Sequence, residues 1–329
     1  MKLAARSHMG VNALPVVLAL VALPLVGSPS TWLTLTVAGL AMGMMIFLMA
    51  AGLSLVFGLM DVLNFGHSAF VSFGAFLAAS VLAALADMVG ADNAWLNMAA
   101  IGAAVVAAAL FGLVAGWLFE RLILRPVYQD HLRQILITMG ALIVAEQLIL
   151  VFWGGSPLTV PRPALLRGAF ILGDTAIEVY RVFALVLGVI VYVVLSLLMK
   201  RTRLGLLVRA GVENREMVEA LGFRVDRLFI GVFMVGSALA AVGGAIWAGY
   251  TTLITAALGS EMLVLVFIVV IIGGLGSIEG SLLGALLVGL LGNYVGFLTP
   301  KLALASNMLL MLIILLWRPL GLRPAIRGG

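Results

Sequence analysis

The chain has 329 residues, of which 64% are hydrophobic and only 10% charged, against roughly a quarter charged in an average soluble domain. That balance excludes a soluble globular protein, and the absence of cysteine excludes disulfides, thiolate metal sites, iron–sulfur clusters and cysteine nucleophiles. The net charge of +5 matters less than where its charges fall.

A helix rising about 1.5 Å per residue needs about 20 apolar residues to cross the hydrocarbon core of a bilayer. Windows of that length give apolar segments near 12–27, 34–57, 68–86, 94–119, 134–153, 181–199, 228–249, 261–275, 281–298 and 302–317. The first, eighth and last are short, so the expectation is an all-α polytopic bundle of eight to ten spans. Residues 1–10, MKLAARSHMG, form either a cytoplasmic N-terminus or a tag remnant, since Ser-His-Met is what a cloning site leaves. A ten-span arrangement puts all but Arg162, Arg167, Arg181 and Lys301 of the 19 Lys and Arg on one side. The positive-inside bias then puts both termini in the cytoplasm. GxxxG spacings at Gly39/Gly43, Gly112/Gly116, Gly280/Gly284 and Gly292/Gly296 fit close helix packing.

Between the second and third segments, DVLNFGHSAF places Asp61, Asn64 and His67 three residues apart. In a regular helix they would share one side. Gly58 and Gly66 equally allow a broken helix in which Asn64 and His67 bond freed backbone groups. His67 reads as part of a helix-breaking joint rather than a catalytic base, with a structural role at the inner mouth or a place lining the gate.

Later polar groups within apolar segments are candidates for a solute pathway, because an ionisable group in a bilayer is costly unless paired or wetted. Glu146 and Gln147 sit mid-segment, either fixing packing or lining the route. Gly274, in IIGGLGSIEG, marks a break that lines the pathway or reverses the chain, and Asn293 presents the same choice. Glu261 and Glu279 lie toward segment ends.

Two excursions interrupt the apolar pattern. Residues 154–180 carry three prolines, and their ILGDTAIEVY end reads as a short strand pair around Gly-Asp. This excursion is a surface cap or a contact for an outside partner. Residues 200–228 are strongly basic. Within them VENREMVEALGF reads as a short helix over 212–223, its ends punctuated by Gly211 and Gly222. It lies on the membrane surface or docks into a groove on a cytosolic partner. The glutamates favour docking, because a bilayer leaflet is itself negative.

Three blocks resemble the LivH-type permeases of branched-chain amino acid ABC importers. They are GLSLVFGLMDVLNFGHSAFVSFGAFLAA, RAGVENREMVEALGFRVDRLFIGVFMVGSALAAVGGAIWAG, and GGLGSIEGSLLGALLVGLL with LLWRPLGL at the end. Gly66 and Ser68 depart from the family's NFAHG at its alanine and glycine. The resemblance implies a single transmembrane permease domain over 1–329 with a type II-like importer fold, a periplasmic excursion at 154–180 and a cytoplasmic coupling loop at 200–227. Asn214, Glu216, Met217, Glu219, Leu221 and Gly222 would form the ATPase-coupling surface. The implied partners are a LivM-like permease, two cytosolic ATPases, a periplasmic solute-binding protein and the lipid bilayer of a bacterial inner membrane, without nucleic acid. No GxxxxGK[ST] phosphate loop occurs, so ATP and Mg belong to the ATPases and the chain binds no cofactor or metal and is no enzyme. The implied substrate is a branched-chain or related amino acid. Urea, short amides and small aromatic carboxylates are the alternatives within the family, and an ion-coupled secondary carrier is the alternative outside it.

Overall fold

The computed structural model describes residues 10–324 except 61, 63, 129 and 214, and side chains at all of these but 172, 212, 213, 215 and 216. Residues 1–9, Asp61, Asn214 and the Glu216 side chain therefore lie outside the described residues.

Along the chain run α1 (Leu14–Val26), α2 (Pro29–Met60), α3 (His67–Ala84), α4 (Ala86–Gly90), α5 (Ala94–Phe119) and α6 (His131–Trp153). They are followed by α7 (Val179–Arg201), α8 (Arg203–Glu213), α9 (Arg215–Ala220), α10 (Val225–Thr251), α11 (Leu258–Gly273), α12 (Ile278–Leu298) and α13 (Ala303–Trp317). Among the described residues, eight helical stretches are long and apolar enough to cross a membrane, while α1 and α11 are shorter. Each of the ten expected apolar segments coincides with one of these helices. Local chemistry sets several boundaries. Asn93, Asp130 and Ser277 cap α5, α6 and α12 by accepting from Trp95 N, Arg133 N and Gly280 N at 2.9–3.0 Å.

The core forms around α2, whose residues from Ala38 to Val56 are almost all buried. It packs along α7, α10 and α12. Lipid tails are as apolar as leucine, so helices in a bilayer gain little by hiding apolar area from one another and associate by close packing instead. The glycine spacings serve that end within the chain. A Cβ on Gly39 or Gly43 would lie 2.9 Å from Leu290 Cα or 2.7 Å from Ala285 O of α12, and one on Gly112 would lie 2.6 Å from Ala238 Cα of α10. Gly292 and Gly296 are looser, with nearest neighbours at 3.3 and 3.8 Å. The tightest α2–α10 approach is Gly52, whose Cβ would meet Gly236 O at 2.2 Å.

The bundle has two distinct ends. At the hairpin end, β2 (Ala169–Leu172) and β3 (Thr175–Glu178) pair around Gly173–Asp174, as their sequence predicts. Gly173 has φ +60°, the left-handed value required at the first position of a II′ turn. A second ribbon joins β1 (Leu158–Thr159) to β4 (Leu253–Ile254). Beside it Arg162 donates to Gly249 O and Tyr250 O at 2.6 and 2.5 Å, satisfying carbonyls in the last turn of α10 where a cation also suits the helix dipole.

The opposite, basic end gathers α8, α9 and the C-terminal segment. There Glu279 accepts from both Lys200 and Arg323, and Arg323 also donates to Asn12 Oδ1. Backbone bonds from Leu322 N to Ile272 O and from Arg323 N to Gly273 O, both 2.9 Å, lay residues 322–323 along the end of α11.

Gly52→Ala should lower the thermal midpoint of detergent-purified protein, overpacking of this kind costing about 1–3 kcal/mol. Gly102→Ala, at an exposed α5 position with nothing within 4 Å, should leave the midpoint unchanged or raise it. Glu279→Gln should loosen the C-terminal segment, read as faster amide hydrogen exchange at Leu322 and Arg323, whose N–H groups bond Ile272 O and Gly273 O.

Candidate functional site

At the basic end the chain leaves α7 through Thr202, whose hydroxyl donates to Leu198 O at 2.6 Å and accepts from Gly205 N at 3.2 Å. That contact caps α8, a helix the sequence reading leaves inside a polar excursion. The helix expected over 212–223 falls on the end of α8 and on α9, with Asn214 between them outside the described residues, and helical structure stops at Ala220. A helix-ending Schellman motif closes α9: Gly222, at φ +86°, donates to Glu219 O at 2.9 Å, and Phe223 N donates to Val218 O at 3.3 Å.

The apolar residues of this segment divide between two directions. Val218 is buried with Leu59, Val208, Val225 and Phe229, which ties α9 to the bundle. Met217 and Leu221, four residues apart and so on one side of a helical turn, are 61% and 70% exposed. The two exposed apolar side chains at that spacing leave a small apolar face at the end of the bundle.

Beside α9 lies a polar cavity of about 750 Å³. Arg121 and Arg125 reach it from the far end of α5, facing Glu219, Arg224, Asp226 and Arg227. The α5 helix passes there into one π turn, Glu120–Leu124. The buried Glu120 accepts from Tyr128, and burial, with that carboxylate second, holds the Tyr128 phenol above its usual pKa. Gln134 donates to Val127 O and Tyr128 O at 3.1 and 2.9 Å, closing the turn. Arg121 and Arg125 escaped the sequence reading because nothing in RLILRP indicates which loop they will face.

Inside the bundle, α2 ends at Met60 and α3 starts at His67, so the broken-helix alternative holds for DVLNFGHSAF. His67 is buried and its Nε2 lies 3.0 Å from Met49 O of α2. The Asn64 amide does not bond freed backbone as expected: it is fully buried and neither of its polar atoms has a partner among the described residues. Phe65 N donates instead to Thr138 Oγ1 of α6, at 3.3 Å. The rings of Phe70, Phe119 and Phe233 pack together beside this joint with centroids 5.5–6.2 Å apart. Ser72 and Ser237 are buried hydroxyls that the sequence reading passed over, since a lone serine in an apolar run is indistinguishable from any other small residue.

The remaining candidates are scattered. Glu146 is half-buried with Oε1 unpartnered among the described residues, whereas its neighbour Gln147 is exposed on α6. Gly274, at φ +97°, lies under the C-terminal segment, where a Cβ would meet Pro324 N at 2.8 Å. It ends α11 and lets the chain reverse into α12. Asn293 donates to Gly289 O at 2.9 Å and touches Met42 Sδ of α2. The six residues proposed for a pathway lie on separate elements, Asn64 and His67 at the α2–α3 joint, Glu146 and Gln147 on α6, Gly274 after α11 and Asn293 on α12.

Comparison with known proteins bears on this arrangement. The family described as branched-chain amino acid transport system / permease component matches residues 35–317. The high-affinity branched-chain amino acid transport system permease protein LivH of Escherichia coli (strain K12) is 27% identical over 299 residues, covering 88% of this chain and 94% of its own. The corresponding protein BraD of Pseudomonas aeruginosa is 29% identical over 302 residues, with 88% and 95% covered. A Methanocaldococcus jannaschii protein named "Probable branched-chain amino acid transport permease protein LivM" is 26% identical over 266 residues, with 73% and 75% covered. With its multi-pass bundle and a match spanning most of its length, the chain belongs to the family of branched-chain amino acid transport permease components.

Proposed function

We propose that this chain is the LivH-like half of an ATP-driven importer that carries a branched-chain or related amino acid inward across the bacterial inner membrane. In this reading it pairs with a LivM-like permease, receives solute from a periplasmic binding protein at the hairpin end, and is driven by two cytosolic ATPases at the basic end. The chain supplies the passage and performs no chemistry, while ATP and Mg stay with the ATPases. Both termini are cytoplasmic, in keeping with the charge asymmetry.

The observation that carries this reading is the construction of α9. Its buried Val218 fastens it to the bundle, while Met217 and Leu221 project from the same turn. A short helix held in that way passes a push from outside directly to α10. Glu219, which faces the polar cavity with Arg121 and Arg125, and the Gly222 turn keep α9 in position. Asn214 and Glu216 belong to the same proposed surface. The chain's similarity both to a protein named LivH and to one named LivM supports a permease pair. Within the membrane, Asn64 and His67 form the joint next to the passage, and Glu146, Gln147, Gly274 and Asn293 stand as further candidates along it.

The decisive experiment reconstitutes the chain in liposomes with its partner permease, ATPases and binding protein. Leucine uptake should require ATP. Uptake by this chain alone under an ion gradient, indifferent to ATP, would falsify the importer reading and favour a secondary carrier.

Met217→Asp with Leu221→Asp should abolish co-purification of the ATPases and leave the thermal midpoint unchanged, because both side chains are exposed. Val218→Asp should instead lower the midpoint, by burying an unpaired charge. His67→Ala removes one buried hydrogen bond, worth about 1 kcal/mol, and should slow uptake without altering the order of preferred substrates. A changed order, measured by competition among amino acids, would make His67 a substrate contact.

A further inference from the structure

Beneath α9, between α7, α8 and α10, lies a second cavity of about 570 Å³. That size falls within the roughly 300–1,000 Å³ typical of pockets holding a small organic molecule. Its walls are almost wholly apolar, with Leu195 and Leu198 from α7, Leu204 from α8 and Val232 and Val235 from α10. Water entering such a slot would find few polar partners.

Three features point to its occupant. The groove opens onto the outer surface of the bundle: Leu198, Leu204 and Val235 are 40%, 57% and 43% exposed, and the apolar face continues along α7 through Val194 and Leu197. On a helix long and apolar enough to span a bilayer, an exposed apolar face is one that acyl chains can cover. The groove is also not filled by the protein itself, since a side chain built on Gly231, which lies in its wall, would meet nothing within 4 Å. Finally, the charged part of the lining is cationic. Arg224 and Arg227 are exposed on the divide between this cavity and the polar one, and arginines near a membrane surface attract anionic headgroups.

We propose that this groove holds one acyl chain of an anionic phospholipid from the surrounding bilayer, with Arg224 and Arg227 taking its phosphate. Val218 of α9 contributes to the same lining, so the lipid would prop α9 against α10. The binding itself does not depend on what α9 docks.

Native mass spectrometry of the intact chain tests this, after extraction in mild detergent from membranes containing phosphatidylglycerol and phosphatidylethanolamine. One retained phosphatidylglycerol is expected on the wild type. Gly231→Leu should displace it by filling the groove, whereas Gly102→Leu, made at an equally open α5 position, should retain it and so controls for folding. Arg224→Gln with Arg227→Gln should reduce the preference for phosphatidylglycerol over phosphatidylethanolamine, by about fivefold per arginine. A wild type without retained lipid, equal retention by Gly231→Leu, or equal retention of the two lipids in the wild type would overturn the assignment. The readout is lipid held by this chain, so it stays informative if the ATPase-docking reading of α9 fails.

Discussion

Backbone meets backbone where α2 crosses α10 at Gly52 and Gly236, and much of the architecture follows from that closeness. Apolar burial cannot drive helices together in a solvent of acyl chains, so the association must come from van der Waals contact at short range and from satisfied polar groups. Glycine on both sides lets the two helices approach far enough for their main chains to touch. With α2 drawn into the centre, α7, α10 and α12 take places around it, and α6 and α13 remain at the periphery with largely exposed faces. The interruption after Met60 is tolerable for the same reason. Irregular backbone at membrane depth survives only inside protein, and Thr138, Met49 and the aromatic rings around Phe70 provide that enclosure.

The two ends are built by different means. At the hairpin end, Arg162 and a two-residue ribbon gather the last turn of α10 into the loop that follows α6, while Glu178 pairs more loosely with Arg162 and Arg181 at 3.7 and 3.5 Å. Charge gathers the basic end, where Glu279 holds α7 through Lys200 and the C-terminal segment through Arg323. Exposed ion pairs contribute little individually. These two share one carboxylate and act beside main-chain bonds from Leu322 and Arg323, so the segment is held by its backbone and oriented by its charges.

Much of the helical framework was legible because a lipid solvent imposes a simple rule on composition and length. The hairpin was legible too, since Gly-Asp between β-prone runs leaves few conformations open. Other features depend on contacts that no local pattern encodes. The glycine spacings signalled close packing, yet nothing in them says that Gly43 faces Ala285 or that Gly112 faces Ala238. The α8 helix was hidden because RLGLLVRAGVE mixes charges with apolar residues and a central glycine, and so reads as part of a polar loop. Its start is set by Thr202, one hydroxyl in a basic run. In the candidate site, the Gly222 stop was readable, and the burial of Val218 beside the exposed Leu221 was not. Which side of so short a helix turns inward depends on Leu59, more than 150 residues earlier in the chain.

At 27 residues and about 1.5 Å per residue, α10 is a rod roughly 40 Å long. Its interior is held at the glycine crossing with α2 and, as closely, against α3, where a Cβ on Gly244 would meet Val71 O at 2.0 Å. One tip carries α9 and the other is gripped by Arg162. A stiff rod makes one body of whatever is fastened to its two tips, so α9 and the Arg162 cap are parts of the same rigid piece. The loop after α6 and the distant α9 surface are thereby joined through a single element of secondary structure, with no need for a relay of side chains between them.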